Sequence, residues 1–94
     1  MFAGTAVKRT GRDRFVRNVL IAIGNSQPGD RRLLDAAERL LDDGSPLVRA
    51  AAAWAFSRLA PSEEFAAQRC RHLAREQDPF VREEWERGEA GVAE

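Results

Sequence analysis

The sequence is poor in the residues on which most catalytic and metal sites depend. Its 94 residues include one cysteine, one histidine and no tyrosine. A single cysteine excludes an internal disulfide and a metal or iron–sulfur site built from cysteines of this chain, and it predicts a reducing compartment, the cytoplasm. No apolar run approaches the roughly 20 residues of a membrane span, and no long apolar stretch follows Met1, so neither a membrane helix nor a signal peptide is predicted.

The few residues that could form a catalytic set are badly spaced. Cys70 and His72 are two positions apart, and on a helix this spacing directs them to different faces. A nucleophile–base pair is therefore not expected. Cys70 is predicted to be a small core residue, and His72 to lie at a surface or an edge. The glycines lack the spacing of a phosphate-binding loop. We predict that this chain alone has no catalytic residues and no metal site.

Charge is unevenly distributed although the formal net charge is zero. Residues 1–32 contain seven basic and two acidic residues, whereas residues 33–94 contain eight basic and thirteen acidic ones. A basic end next to an acidic body indicates contact with a polyanion. Solvated helix faces can produce the same asymmetry by chance, so charge alone does not decide between these two interpretations.

Apolar residues recur at helical spacing and predict five helices within a single domain, residues 1–94. Residues 1–10 are expected to be an extended basic leading segment, residues 11–88 the helices, and residues 89–94 a frayed tail. The predicted helix starts, in order, are Gly11, the residue after Asp30, Pro46, Ser62 and Phe80. Asp30, Ser45 and Asp78 are the predicted N-caps of the second, third and fifth helices. The predicted inward-facing residues include Phe15, Val16, Val19, Leu20 and Ile23 of the first helix, and Phe65, Ala66, Cys70 and Leu73 of the fourth.

A short motif repeats along the chain at intervals of 32 to 33 residues. The segments Pro46-Leu47-Val48-Arg49 and Pro79-Phe80-Val81-Arg82 match, and Phe15-Val16-Arg17 carries the same signature. A period near 33 with paired helices is typical of an α-solenoid. The motif resembles the Asp-Pro-x-Val-Arg turn of HEAT repeats in their short, PBS-lyase-like form. We predict an all-α fold, a short right-handed solenoid, in which Arg17, Arg49 and Arg82 form a ladder of hydrogen bonds between repeats.

Four basic residues within the first 14 positions stand outside this ladder. Lys8, Arg9, Arg12 and Arg14 surround Gly11, where the start of a helix would add its own positive end. Guanidinium groups and free backbone N–H groups suit phosphate oxygens, so these four residues are the predicted nucleic-acid contacts. No tyrosine or tryptophan is interleaved with them, so contact with the phosphate backbone is predicted and base stacking is not.

The first third of the chain resembles the C-terminal helical domain of epoxyqueuosine reductases. The resemblance rests on Gly4-Thr5-Ala6-Val7-Lys8-Arg9, on Arg14-Phe15-Val16-Arg17-Asn18-Val19 and on Ile23-Gly24-Asn25. It implies that the chain is the C-terminal part of a cytoplasmic enzyme that reduces epoxyqueuosine to queuosine in tRNA. It also implies that the whole enzyme uses cobalamin and two [4Fe–4S] clusters, held by N-terminal domains that this sequence lacks.

Two functions are compatible with these observations. In the first, the chain contacts tRNA through the basic residues and packs against the other domains of the enzyme, while Arg17 and Asn18 fix the first helix against its neighbours. In the second, the chain is a HEAT-type protein–protein scaffold whose basic end binds an acidic partner. A variant of the first has the basic end facing the other domains, without contact to tRNA.

Overall fold

The computed structural model describes the backbone of residues 2–27 and 29–93, and the side chains of residues 11–27 and 29–87. In this part of the chain all regular secondary structure is α-helical, as predicted. The five helices are α1 (Phe2–Gly24), α2 (Arg31–Leu40), α3 (Pro46–Leu59), α4 (Ser62–Leu73) and α5 (Pro79–Ala93).

The helices form two layers, which is the arrangement of an α-solenoid. Helices α1, α3 and α5 lie side by side, with α3 in the middle. Helix α2 packs on α3 and α1, and α4 packs on α5. The pairs α2–α3 and α4–α5 are thus two successive helical repeats, and α1 occupies the position of the second helix of a preceding repeat.

Small side chains let the three helices of the first layer approach closely. Ala52, Ala53 and Ala55 of α3 are fully buried, together with Phe56. Alanine combines the highest helix propensity with the smallest apolar side chain, so α3 can be covered on both flanks without losing helical stability. This central position of α3 explains why nearly its whole length is apolar.

Two of the predicted helix caps are confirmed and one is wrong. The carboxylate of Asp30 accepts from the backbone N–H of Arg32, and that of Asp78 accepts from the N–H groups of Phe80 and Val81. Ser45 makes no side-chain cap. Its own N–H instead donates to Asp43 Oδ2 at 2.9 Å, so the aspartate orders the turn before α3.

The ends of the helical region extend beyond the predicted bounds. Helix α1 begins at Phe2 and not near Gly11, because residues 2–10 contain no proline and a single glycine lowers helix stability by only about 1 kcal/mol. Helix α5 likewise continues through Gly88 to Ala93, a segment without proline, where a frayed tail was expected. The side chains of residues 1–10, 28 and 88–94 lie outside the described part of the structure.

Part of the apolar stripe predicted for α1 faces solvent. Leu20 and Ile23 are buried as expected and Val16 packs against the core, but Phe15 is 69% exposed and Val19 is 40% exposed. The two helices that contact α1, namely α3 and α2, meet only one side of it. The predicted stripe is wider than the surface they cover, so Phe15 and Val19 lie on the uncovered side.

The predictions for Cys70 and His72 are both wrong. Cys70 is exposed, whereas His72 is only 5% exposed. The buried side of α4 contains Phe65 and His72, which lie seven residues apart, and both contact the indole of Trp85. The His72 ring stacks on Trp85 with their centroids 5.4 Å apart. Hydrophobicity alone favoured the cysteine, but a flat aromatic surface on α5 selects the histidine ring.

No helix in the described residues is both long enough and apolar enough to cross a membrane.

Candidate nucleic-acid interface

The candidate interface lies on α1, the helix that contains the four predicted contact residues. The backbone of Lys8 and Arg9 belongs to α1, but their side chains lie outside the described part of the structure. The prediction for these two residues is therefore not tested. Arg12 and Arg14 are described in full, and their environments differ.

Arg12 is held by two carboxylates. Its guanidinium donates to Asp43 through Nη2 at 2.6 Å and through Nη1 at 3.0 Å, and Nη1 also donates to Asp13 at 2.9 Å. These bonds lower the pKa of Asp43 below its ordinary value of 3.8 and raise that of Arg12. A phosphate would have to compete with two carboxylates, so Arg12 serves chiefly to tie α1 to the turn before α3.

Arg14 is exposed, and no hydrogen bond or ion pair joins it to another described side chain. Asp13, the one acid in residues 11–24, is buried and bonded to Arg12. The positive charge of Arg14 is therefore not neutralised locally. Of the two described residues from the predicted set, Arg14 is the one available to an anion.

Arg17 differs from the other two arginines at its repeat position. It is partly buried, its Nη2 donates to Asn18 Oδ1 at 3.2 Å, and its Nε has no partner among the described residues. No bond from Arg17 to another repeat occurs in that part of the structure. Its predicted membership of the ladder is not supported by these contacts.

Arg49 and Arg82 do occupy equivalent structural positions. Arg49 Nη1 donates to the carbonyl of Asp43, and Arg82 Nη1 donates to the carbonyl of Glu76, in both cases six residues earlier in the chain and at 2.9 Å. Each arginine thus closes the turn that precedes its own helix. The repeated Val-Arg motif therefore has a local structural role in both repeats.

The contacts between repeats follow a second pattern, which the sequence did not reveal. Arg49 forms a bidentate pair with Glu76 at 2.9 and 3.0 Å, and Arg12 forms the corresponding pair with Asp43. Asp43 and Glu76 are 33 residues apart and both precede a helix of the first layer. Among the described residues, Arg12 and not Arg17 thus makes the contact from α1 that corresponds to the Arg49–Glu76 pair.

Further pairs link α2 and the turn after it with α4 and the turn after that helix. Each joins residues that are 33 positions apart. Arg31 donates to both oxygens of Glu64, at 2.8 and 3.0 Å, and Arg75 donates to Asp42 at 2.7 Å. The hydrogen bonds from Arg31 lower the pKa of Glu64. Glu64 and Asp42 are thus both engaged in structural pairs between repeats.

The tryptophan of α3 fixes the C-terminal end of α1. Arg58 lies over the Trp54 ring, 5.3 Å from its centroid, and its Nε donates to the carbonyl of Gly24 at 2.8 Å. The ring packs directly on the backbone of Gly24, where a Cβ atom would overlap it. The glycine is required here for close approach, and this contact sets the position of α1 against α3.

The sequence has too few cysteines to hold an iron–sulfur cluster of the kind that the resemblance implies. A [4Fe–4S] cluster is held by several cysteine thiolates, and this chain contributes only Cys70, which is exposed. Within residues 11–27 and 29–87, no three His, Cys, Asp or Glu side chains are grouped to bind a metal ion. The residues present do not fit such a cluster, and no chemical step is assigned to one here.

The comparison with known proteins agrees with the helical repeats. Residues 7–88 match the profile of HEAT repeats. The chain belongs to the HEAT-repeat family. The pairs α2–α3 and α4–α5 are therefore two HEAT repeats, and α1 is the second helix of a preceding one. The first helices of the repeats, α2 and α4, form one layer, and the second helices, α1, α3 and α5, form the other.

A curated relative has a more specific name. The HEAT-repeat chain is 37% identical over 54 residues to an epoxyqueuosine reductase of Xanthomonas campestris pv. campestris. The matched segment is 57% of this chain but only 15% of that protein. No solved structure matches the chain. The HEAT repeats thus correspond to a small part of a much longer enzyme.

Proposed function

We propose that this chain is the HEAT-repeat module of an epoxyqueuosine reductase, that it contacts tRNA through α1, and that it packs against the other domains of that enzyme. The enzyme makes queuosine in tRNA, and cobalamin and two [4Fe–4S] clusters would be held by its other domains. Catalysis is not assigned to this chain. The proposal is supported by the identity to the Xanthomonas campestris enzyme and by the sequence resemblance of α1.

The observation that carries the proposed tRNA contact is the unneutralised charge of Arg14. Arg12 is bonded to Asp43 and Asp13, but Arg14 projects from the same helix without a carboxylate partner among the described residues. Lys8 and Arg9 add two more basic residues within two turns of the helix. Such a cluster attracts the phosphate backbone of a nucleic acid without reading its sequence.

A second candidate function is a protein–protein scaffold, and one observation favours it. Phe15, Leu47 and Phe80 occupy the same repeat position on α1, α3 and α5, and all three are exposed, by 69%, 40% and 74%. Three exposed apolar side chains across adjacent helices could bind an apolar protein surface. The charges around them differ, however, because α1 is basic and α5 carries Glu83, Glu84 and Glu86.

A salt titration with a tRNA anticodon stem-loop tests the proposed tRNA contact. Fluorescence anisotropy should show affinity that falls steeply as NaCl increases, because phosphate contacts release counterions. Reversal of charge by K8E and R9E should weaken binding at every salt concentration. Affinity that is unchanged in this double variant would contradict phosphate contact through Lys8 and Arg9 and would favour the scaffold function.

A further inference from the structure

Phe15 is an exposed aromatic residue of α1 that directly follows the exposed Arg14. Its ring is 69% exposed although phenylalanine is usually buried. It contributes nothing to the core that α1 forms with α3, since that core is built on Leu20 and Ile23. The fold therefore does not explain why this position is aromatic.

The immediate surroundings of Phe15 leave room for a flat ligand. On a helix, the neighbours of residue 15 are residues 11 and 12 in the preceding turn and residues 18 and 19 in the following turn. Gly11 has no side chain, and the space where its Cβ would be is open. Asn18 and Val19 on the other side are both exposed. One face of the phenyl ring is thus accessible from solvent.

The net positive charge near Phe15 favours a polyanion as the ligand over an uncharged protein surface. Arg14 is adjacent in sequence and exposed, while Asp13 is buried and bonded to Arg12. The equivalent residue of α5, Phe80, is 74% exposed but is followed by Glu83 and Glu84 one turn later. Of the two exposed phenylalanines among residues 11–27 and 29–87, Phe15 is therefore the one next to unneutralised positive charge.

We propose that Phe15 is a stacking platform for an unpaired base of the RNA whose phosphates Arg14 contacts. This inference rests on the proposed tRNA contact and adds base stacking to it, which the sequence did not predict because Phe15 was expected to face the core. Stacking requires a base that is free of its partner strand, so the preferred ligand is a looped or single-stranded segment and not a continuous duplex. The amide of Asn18, one turn away, lies within the same exposed surface.

Stacking and phosphate contact have different signatures in solution. Loss of an aromatic stacking residue lowers the affinity for unpaired bases by about ten-fold or more and is tolerant of base identity. It leaves the salt dependence of binding unchanged, because no counterion is released by an uncharged ring. Loss of one phosphate contact instead lowers the slope of log affinity against log salt concentration by about 1.

The test compares two RNA probes and four variants of the full chain, namely F15A, F15W, F80A and R14E. The probes are a hairpin with the anticodon loop sequence and a blunt duplex of the same stem. F15A should bind the hairpin about ten-fold more weakly than the wild type with an unchanged salt slope, and should bind the duplex equally well. F15W should retain hairpin affinity. F80A is the matched control, because Phe80 has the same repeat position and similar exposure, and it should behave as wild type.

A second readout detects stacking directly. A hairpin with 2-aminopurine in its loop should lose fluorescence on binding to the wild type and to F15W, but not on binding to F15A. Because Phe15 is exposed, circular dichroism should show the same helicity and melting temperature for F15A and the wild type.

The outcomes separate this inference from the proposed function. Equal hairpin affinity for F15A and wild type, or an equal loss in F15A and F80A, would overturn stacking on Phe15; the second result would indicate an apolar ridge for a protein partner. If the wild type binds hairpin and duplex equally, with both affinities reduced by R14E, the phosphate contact stands and stacking is wrong. If the wild type binds neither probe, both proposals fail.

Discussion

Arg12 and Asp43 are joined by two hydrogen bonds, of 2.6 and 3.0 Å, between side chains 31 residues apart in the chain. Asp43 simultaneously accepts from the N–H of Ser45 and so orders the turn before α3. The pair therefore couples the position of α1 to the start of α3. A basic residue that sequence reasoning assigned to RNA turns out to hold the interface between two repeats.

This pair predicts that the free energy of unfolding decreases at acidic pH, and this decrease is the acid limb of the stability curve. The pKa of Asp43 is lowered, chiefly by the hydrogen bonds from Arg12, so its contribution to stability is present above the ordinary value of 3.8 and is lost as the pH falls below it. D43N should lower the melting temperature near pH 6 and should flatten the decline of stability between about pH 4 and pH 2. Thermal unfolding near pH 6 measures the first effect, and urea unfolding at a series of pH values across this range measures the second. An acid limb as steep in D43N as in the wild type would contradict this role.

The partly buried pair of Arg49 and Glu76 should contribute more to stability than an exposed pair. R49A leaves the Glu76 carboxylate, 8% exposed, without its bidentate partner and leaves the carbonyl of Asp43 without a donor. Unsatisfied groups of this kind cost about 1–3 kcal/mol. Urea unfolding should show that loss for R49A and a much smaller one for R75A, because the Arg75–Asp42 pair is exposed on both sides. Similar losses for the two variants would show that burial of the pair is unimportant.

Two glycines of α1 should respond to alanine in opposite directions. G24A places a methyl group against the Trp54 ring, and the resulting displacement should cost about 1–3 kcal/mol. G11A meets open space in the interior of a helix, so the higher helix propensity of alanine should stabilise the protein by about 1 kcal/mol. Thermal unfolding of the two variants against the wild type checks both signs. Stabilisation by G24A would show that Trp54 does not pack on α1 as described.

His72 should make stability depend on pH between about 5 and 7. Burial lowers the pKa of His72 below its ordinary value of 6.5, so the unfolded chain binds a proton first as the pH falls. Stability should thus be complete above pH 6.5 and should decline below it. H72F keeps a ring on Trp85 and removes the titrating group, so its stability should change little over this range. A slope in H72F equal to that of the wild type would assign the effect to other groups.

The repeat architecture could be predicted from the sequence because it depends on short-range signals. Asp30 and Asp78 cap helices as expected, and Pro46 begins α3, because these residues act on backbone groups within three positions. The Pro-x-Val-Arg spacing then gave the period. The ends of α1 and α5 were missed because no residue there breaks a helix.

The candidate site was harder to predict because it depends on which faces are covered. The apolar pattern of α1 does not show which of its residues α2 and α3 cover, and Phe15 lies outside that covered surface. The choice between Cys70 and His72 was decided by Trp85 on another helix. The pairing of Arg12 with Asp43 required the relative position of two repeats. None of these is a property of a local segment.

The most direct test of the proposed tRNA contact is the affinity of R14E for a tRNA anticodon stem-loop, measured beside R71E. Arg71 is also exposed, but it lies on α4 and not on α1. Both variants change the net charge equally, so a difference between them reports position and not total charge. We predict a clear loss of affinity and a lower salt slope for R14E, with R71E close to wild type. Equal affinities for R14E and R71E would contradict RNA contact through α1.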